Sequence, residues 1–94
     1  MAGVRERIET RLREALAPVA LEVRDDSEQH RGHGGWREGG ETHFHVTLVT
    51  FAFEGLSRVE RHRLVNGLLA EELAGRVHAL SLRLLTPREN MARD

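Results

Sequence analysis

Six histidines and no cysteine define the chemistry open to this 94-residue chain. Imidazole can ligate a metal, pass a proton, or carry a charge that changes between about pH 5 and 8. Without cysteine there is no disulfide, no thiolate nucleophile and no iron–sulfur site built from the chain's own sulfur. His30 and His33 stand three residues apart in a glycine-rich stretch. The spacing is compatible with a metal, but two ligands do not close a site, and two solvated loop histidines are the alternative. His43 and His45 share one face of an extended segment, either as a zinc chelate or as polar residues on an open sheet face. His78 precedes Leu80, Leu82 and Leu84 in the same alternation, so it falls at the rim of the core as a satisfied polar residue or as a rigidly held ligand. His62 lies within Arg61-His62-Arg63, which with Arg58 makes the densest basic cluster. That cluster suits phosphate or a carboxylate-rich partner, or is a solvated helix face. Trp36, the only tryptophan, is expected either to pack on the sheet or to anchor a partner.

The elements that must position these groups follow from periodicity. Val4, Ile8, Leu12 and Leu16 form one apolar stripe, predicting a helix from Val4 to Ala17 that Pro18 stops. Val19, Leu21 and Val23 alternate in a strand from Val19 to Arg24, all three expected to face inward. From Ser27 to Glu41 the periodicity disappears and five glycines occur: Gly32, Gly34, Gly35, Gly39 and Gly40. A loop this long is unusual in a small domain and is commonly functional or disordered. Thr42 to Thr50 is a second strand, with Phe44, Val46 and Leu48 on one face, and it should pair with the first as an antiparallel hairpin. A short helical turn around Phe53 ends at Gly55. Ser57-Arg58-Val59-Glu60 reads as a capping box opening a helix to about Ala74, closed by Gly75. Val77 to Leu85 is the third strand, ended by Thr86-Pro87, with residues 88–94 expected to fray. The helical crossover favours parallel pairing of the second and third strands. The fold class is α+β: a three-stranded mixed sheet with helices packed on one face, in a single domain over 1–94 with an ordered core over 4–87.

Several functions are excluded or disfavoured. The formal net charge is −1, so the overall basic field of many nucleic-acid binders is missing. No apolar run approaches the roughly 18 residues of a membrane span, and Met1-Ala2-Gly3-Val4-Arg5-Glu6 does not read as a signal peptide, so the expectation is a cytoplasmic protein with no membrane partner. P-loop, G-x-G-x-x-G, nucleophile-elbow and H-E-x-x-H patterns are absent and the carboxylates are scattered, which argues against an enzyme. Residue chemistry alone leads to a small α+β binding module with a histidine-bearing loop.

Five fragments extend that reading: Glu41-Thr42-His43-Phe44, Phe53-Glu54-Gly55-Leu56-Ser57, Arg61-His62-Arg63-Leu64-Val65, Leu69-Ala70-Glu71-Glu72-Leu73 and Val77-His78-Ala79-Leu80. In this order and spacing they strongly resemble the BolA family over roughly Val4 to Pro87. The resemblance implies a type II KH-like fold in the order helix, two strands, two helices, strand. It implies a monothiol glutaredoxin of the CGFS type as partner, with a bridging [2Fe-2S] cluster shared with that glutaredoxin and glutathione. The chain alone would hold no cofactor and would be a monomer or weak dimer. The family's third-strand ligand maps onto His78 and its loop ligand onto His30, with His33 as alternate; Trp36 and His43 are partner-binding candidates. The family's second reputation, as transcriptional regulators of stress response and morphology, would place DNA contacts at Arg58, Arg61, His62 and Arg63. The near-zero net charge makes such binding weak and salt-sensitive.

Overall fold

The computed structural model describes residues 3–25, 43–75, 77 and 79–92. Helix α1, Val4–Leu16, buries the four stripe residues Val4, Ile8, Leu12 and Leu16. It ends one residue earlier than expected. Ala17 turns left-handed (φ 43°) and donates its N–H to the Arg13 carbonyl at 3.1 Å, so a cap closes the helix before Pro18 is reached.

Strand β1, Ala20–Asp25, pairs antiparallel with β2, His43–Val49, and β2 pairs in parallel with β3, Ala79–Leu85. The sheet order is β1-β2-β3, so β2 is central. Opposed residues share a face. Val23, Val46 and Leu82 therefore form one inward row, and Leu21, Leu48 and Leu84 the next. Val19 departs from the expectation: its N–H pairs with the Val49 carbonyl at 2.9 Å, but its side chain is 57% exposed because it lies one residue before the strand begins.

Thr50 joins three elements beyond the end of β2. Its buried hydroxyl donates to the Leu16 carbonyl at 2.7 Å, satisfying the last turn of α1, and accepts from the Ala52 N–H at 3.1 Å. A single 3-10 turn, Phe51–Phe53, follows, with Phe53 fully buried. Gly55 then adopts φ 80°, a conformation that disfavours any side chain, and the chain enters α2, Arg58–Leu68. The expected capping box is present: Glu60 N–H donates to Ser57 Oγ at 3.1 Å, and Ser57 N–H to Glu60 Oε1 at 2.7 Å. Those hydrogen bonds hold the Glu60 carboxyl below its ordinary range.

The single helix expected to reach Ala74 is interrupted. Leu69 leaves helical geometry (φ −103°, ψ 18°), and α3, Ala70–Ala74, continues in a second segment. Leu69 is fully buried and still donates its N–H to the Val65 carbonyl at 3.0 Å, and Gly67 two residues before it is a weak helix former. Arg11 on α1 reaches α3, its Nη2 donating to Glu71 Oε2 at 3.0 Å while its Nε lies 3.2 Å from the buried Glu72 Oε1. The expectation of a frayed tail is corrected as well. Residues Pro87–Ala92 form α4, opened by a second capping box in which Thr86 N–H donates to Glu89 Oε1 (2.9 Å) and Glu89 N–H to Thr86 Oγ1 (3.2 Å). Pro87 sits at the first helical position, where its missing N–H costs nothing.

Replacing Thr50 with valine keeps the shape but strands the Leu16 carbonyl. Urea denaturation should show a loss of about 1–3 kcal/mol, with Thr50→Ser retaining most of the wild-type stability.

Candidate functional site

Two regions combine the residues singled out by their chemistry. The first is one end of the sheet. The chain leaves β1 at Asp25 and re-enters β2 at His43, while Ala79, the first residue of β3, lies directly opposite His43. Parallel pairing thus brings the start of β3 beside both ends of the glycine-rich segment. His43 and His45 are half-buried and share the outer sheet face, His45 opposite Arg24 and Ser81. Among the described residues no group of three or more His, Asp or Glu side chains stands close enough to hold a metal. His30, His33, Trp36 and His78 lie outside the described residues.

The second region is a groove at the other side of the crossover. Arg58, His62, Arg83, Leu82, Leu84 and Glu89 line a cavity of about 430 Å³ where α2, β3 and α4 meet. Arg58 and Arg63 are exposed on α2. His62 is exposed too, its Nδ1–H donating to the Arg58 carbonyl at 2.8 Å. Arg83 was not singled out by its sequence context. It reaches the groove because β3 is an edge strand.

Arg61 does not join this exposed cluster. It is only 6% exposed and its guanidinium points into the molecule. Nε donates to the Leu56 carbonyl at 3.1 Å, and Nη1 donates both to the Leu84 carbonyl at 3.2 Å and to Glu89 Oε1 at 2.6 Å. Nη2 donates to Glu89 Oε2 at 3.2 Å, completing a two-pronged grip on the carboxylate. The guanidinium carbon also lies 5.8 Å from the centre of the Phe53 ring. With four of its five N–H donors spent inside the fold and almost no exposure, Arg61 is a structural residue, and the exposed members of the expected DNA-contacting cluster are Arg58, His62 and Arg63. Glu89 is the residue that sequence reasoning missed. Thr86-Pro87-Arg88-Glu89 is itself a capping-box pattern with proline at the first helical position, and would have revealed α4.

The profile of the BolA-like protein family matches residues 12–89. The chain belongs to the BolA family. It is 50% identical over 90 residues to BolA-like protein 1 of Homo sapiens, an alignment covering 93% of this chain and 63% of the human protein. It therefore spans just under two thirds of that relative's length. It is 46% identical over 86 residues to the DNA-binding transcriptional regulator BolA of Escherichia coli strain K12, covering 92% of this chain and 78% of that protein. Among solved structures, the BolA domain of SufE1 from Arabidopsis thaliana superposes with a TM-score of 0.83 at 46% identity, covering 95% of this chain and 98% of that one. The mixed sheet and the helix order are those of BolA structures. No described helix is long and apolar enough to cross a membrane.

The Arg61–Glu89 pair gives a pH signature. Hydrogen bonds from Arg61, and then from the Thr86 N–H, lower the Glu89 carboxyl from 4.5 to about 2. A carboxyl depressed by folding contributes stability that is complete above its unfolded value and is lost as pH falls through the folded one. Thermal unfolding followed from pH 5 to 2 should therefore fall less steeply for Glu89→Gln than for wild type. At neutral pH Arg61→Ala should cost about 2 kcal/mol by stranding the Leu84 and Leu56 carbonyls.

Proposed function

We propose that this BolA-family chain pairs with a monothiol glutaredoxin and completes a bridging [2Fe-2S] cluster, acting in iron–sulfur trafficking or in iron-linked regulation. His78 and His30 are the proposed imidazole donors, with His33 as alternate for the loop position. The glutaredoxin and glutathione supply the thiolates. The observation that carries this reading is the parallel register of β2 and β3. Residue 78 immediately precedes Ala79, which faces His43 at the sheet end from which the histidine-bearing segment leaves and to which it returns.

The donor chemistry fits the group. A chain without cysteine cannot hold an iron–sulfur cluster on its own sulfur, yet it can lend neutral nitrogen ligands to a partner's thiolates. Histidine on iron raises the potential relative to all-thiolate ligation, and a ligand that also binds protons makes the site sensitive to pH. The proposed role of this chain is to lend two imidazoles to the partner's cluster. His43 stands at that end opposite Ala79, and with Trp36 of the glycine-rich segment it is a proposed partner contact.

A second reading follows from the name of the Escherichia coli relative, a DNA-binding transcriptional regulator. With Arg61 turned inward, the proposed contacts reduce to Arg58, His62 and Arg63. Binding through so few cations would be weak, with a salt slope set by those two or three contacts.

Mixing the protein with a cluster-loaded CGFS glutaredoxin should change the visible absorption and circular dichroism of the cluster. His78→Ala should abolish the change, and comparison of His30→Ala with His33→Ala identifies the loop donor. Identical spectra for wild type and His78→Ala would remove His78 as a ligand.

A further inference from the structure

β3 is an edge strand, and among the described residues no strand pairs with its outer side. Successive residues of a strand turn their backbone N–H and C=O groups to opposite edges. Two hydrogen bonds give the phase. The Leu85 carbonyl accepts from the Thr50 N–H at 3.1 Å, on the β2 side. The Leu84 carbonyl accepts from the Arg61 guanidinium at 3.2 Å, on the other. Leu80 and Leu82 share the phase of Leu84, so their N–H and C=O groups face the open edge. Among the described residues this edge is protected at its C-terminal end, where Arg61 and its partner Glu89 cover Leu84. Exposed edge backbone of this kind is a template for another strand.

The groove described above runs beside that edge. Leu82 and Leu84 supply an apolar wall on the helix side, where Arg58 and His62 of α2 flank it, while Arg83 alternates to the outer face at the same edge. The carboxylate present, Glu89, is already matched by Arg61 at 2.6 Å. The groove is therefore left with two exposed guanidinium groups and an exposed imidazole. A peptide in extended conformation alternates its side chains, so one set would meet Leu82, Leu84 and the α2 cations while the other lies beside Arg83.

We infer that the outer edge of β3 is a docking site for an extended, acidic segment of a partner protein, which adds to the sheet as a fourth strand. The backbone of Leu80 and Leu82 provides affinity, and Arg58 and Arg83 select for acidic side chains. A nucleic acid suits this groove less well. Two permanent cations beside an apolar wall do not track a phosphate backbone, whereas the unpaired amides match a peptide.

The test uses a fluorescein-labelled peptide of alternating glutamate and valine with the full chain, read by anisotropy and by amide hydrogen exchange. Saturable binding should slow exchange at the Leu80 and Leu82 amides. Arg58→Gln combined with Arg83→Gln should weaken binding about tenfold without changing the unfolding midpoint. Two versions of the peptide, N-methylated at alternate residues in opposite phases, keep the charge. The version whose methyl groups face β3 should lose binding. Equal binding by both methylated versions, or unchanged exchange at Leu80 and Leu82, would overturn the proposal. A short duplex DNA that displaces the peptide and binds more tightly would assign the groove to nucleic acid and overturn it as well.

Discussion

The placement of every site in this molecule depends on the pairing of β2, antiparallel to β1 on one side and parallel to β3 on the other. An antiparallel pair can be joined directly, but a parallel pair needs a connection that travels back along the sheet. Residues 50–78 are that connection, and α2 and α3 form within it. Their apolar residues Val65 and Leu69 then share one core with Ile8 and Leu12 of α1 and with Val46 and Leu48 of the sheet. The same constraint sets the chemistry. Because β3 runs parallel to β2, it begins where β2 begins, beside the glycine-rich segment. A slip of one residue would turn the inward leucines of β3 to the outer face, so burial holds the register of β3 from Ala79 onward.

Arg61 provides the second point of organisation. Its guanidinium meets α2's approach at Leu56, the edge strand at Leu84 and α4 at Glu89. Burying an arginine is costly, and it persists because a carboxylate and two carbonyls satisfy it. The consequence for function is a division of labour within one tripeptide. Arg61 holds the crossover to the sheet, while His62 and Arg63 face outward. The same contact closes the C-terminal end of the β3 edge, and among the described residues no strand pairs with Leu80 and Leu82, so one residue both stabilises the fold and bounds the edge proposed for a partner strand.

Much of the architecture was legible because its signals are local. The four-residue stripe of α1 and the Ser57–Glu60 capping box are intrinsic to short segments, and the alternation of β2 placed Phe44, Val46 and Leu48 in the core. The departures arise where tertiary contacts decide. Leu69 departs from helical dihedrals within the core while keeping its hydrogen bonds to Val65 and Leu73, and Val19 is exposed because the ladder begins one residue later. Arg61 looked like its neighbours since nothing in Arg61-His62-Arg63 distinguishes inside from outside; its partner Glu89 is 28 residues away. The helix around that partner carries a local signal of its own, the Thr86–Glu89 capping box. For the candidate site, the sequence supplied the histidines and the family resemblance supplied their roles. His30, His33, Trp36 and His78 lie outside the described residues, so the register of the strands around them bears the structural argument.

The claim that this chain lends imidazole nitrogen to a partner's cluster is tested most directly by pulsed electron paramagnetic resonance. The heterodimer would be formed from chain carrying ¹⁵N-labelled histidine and unlabelled glutaredoxin, then reduced. The account predicts ¹⁵N hyperfine couplings of directly bound histidine, diminished in His78→Ala. A reduced cluster with no ¹⁵N coupling from this chain would contradict it.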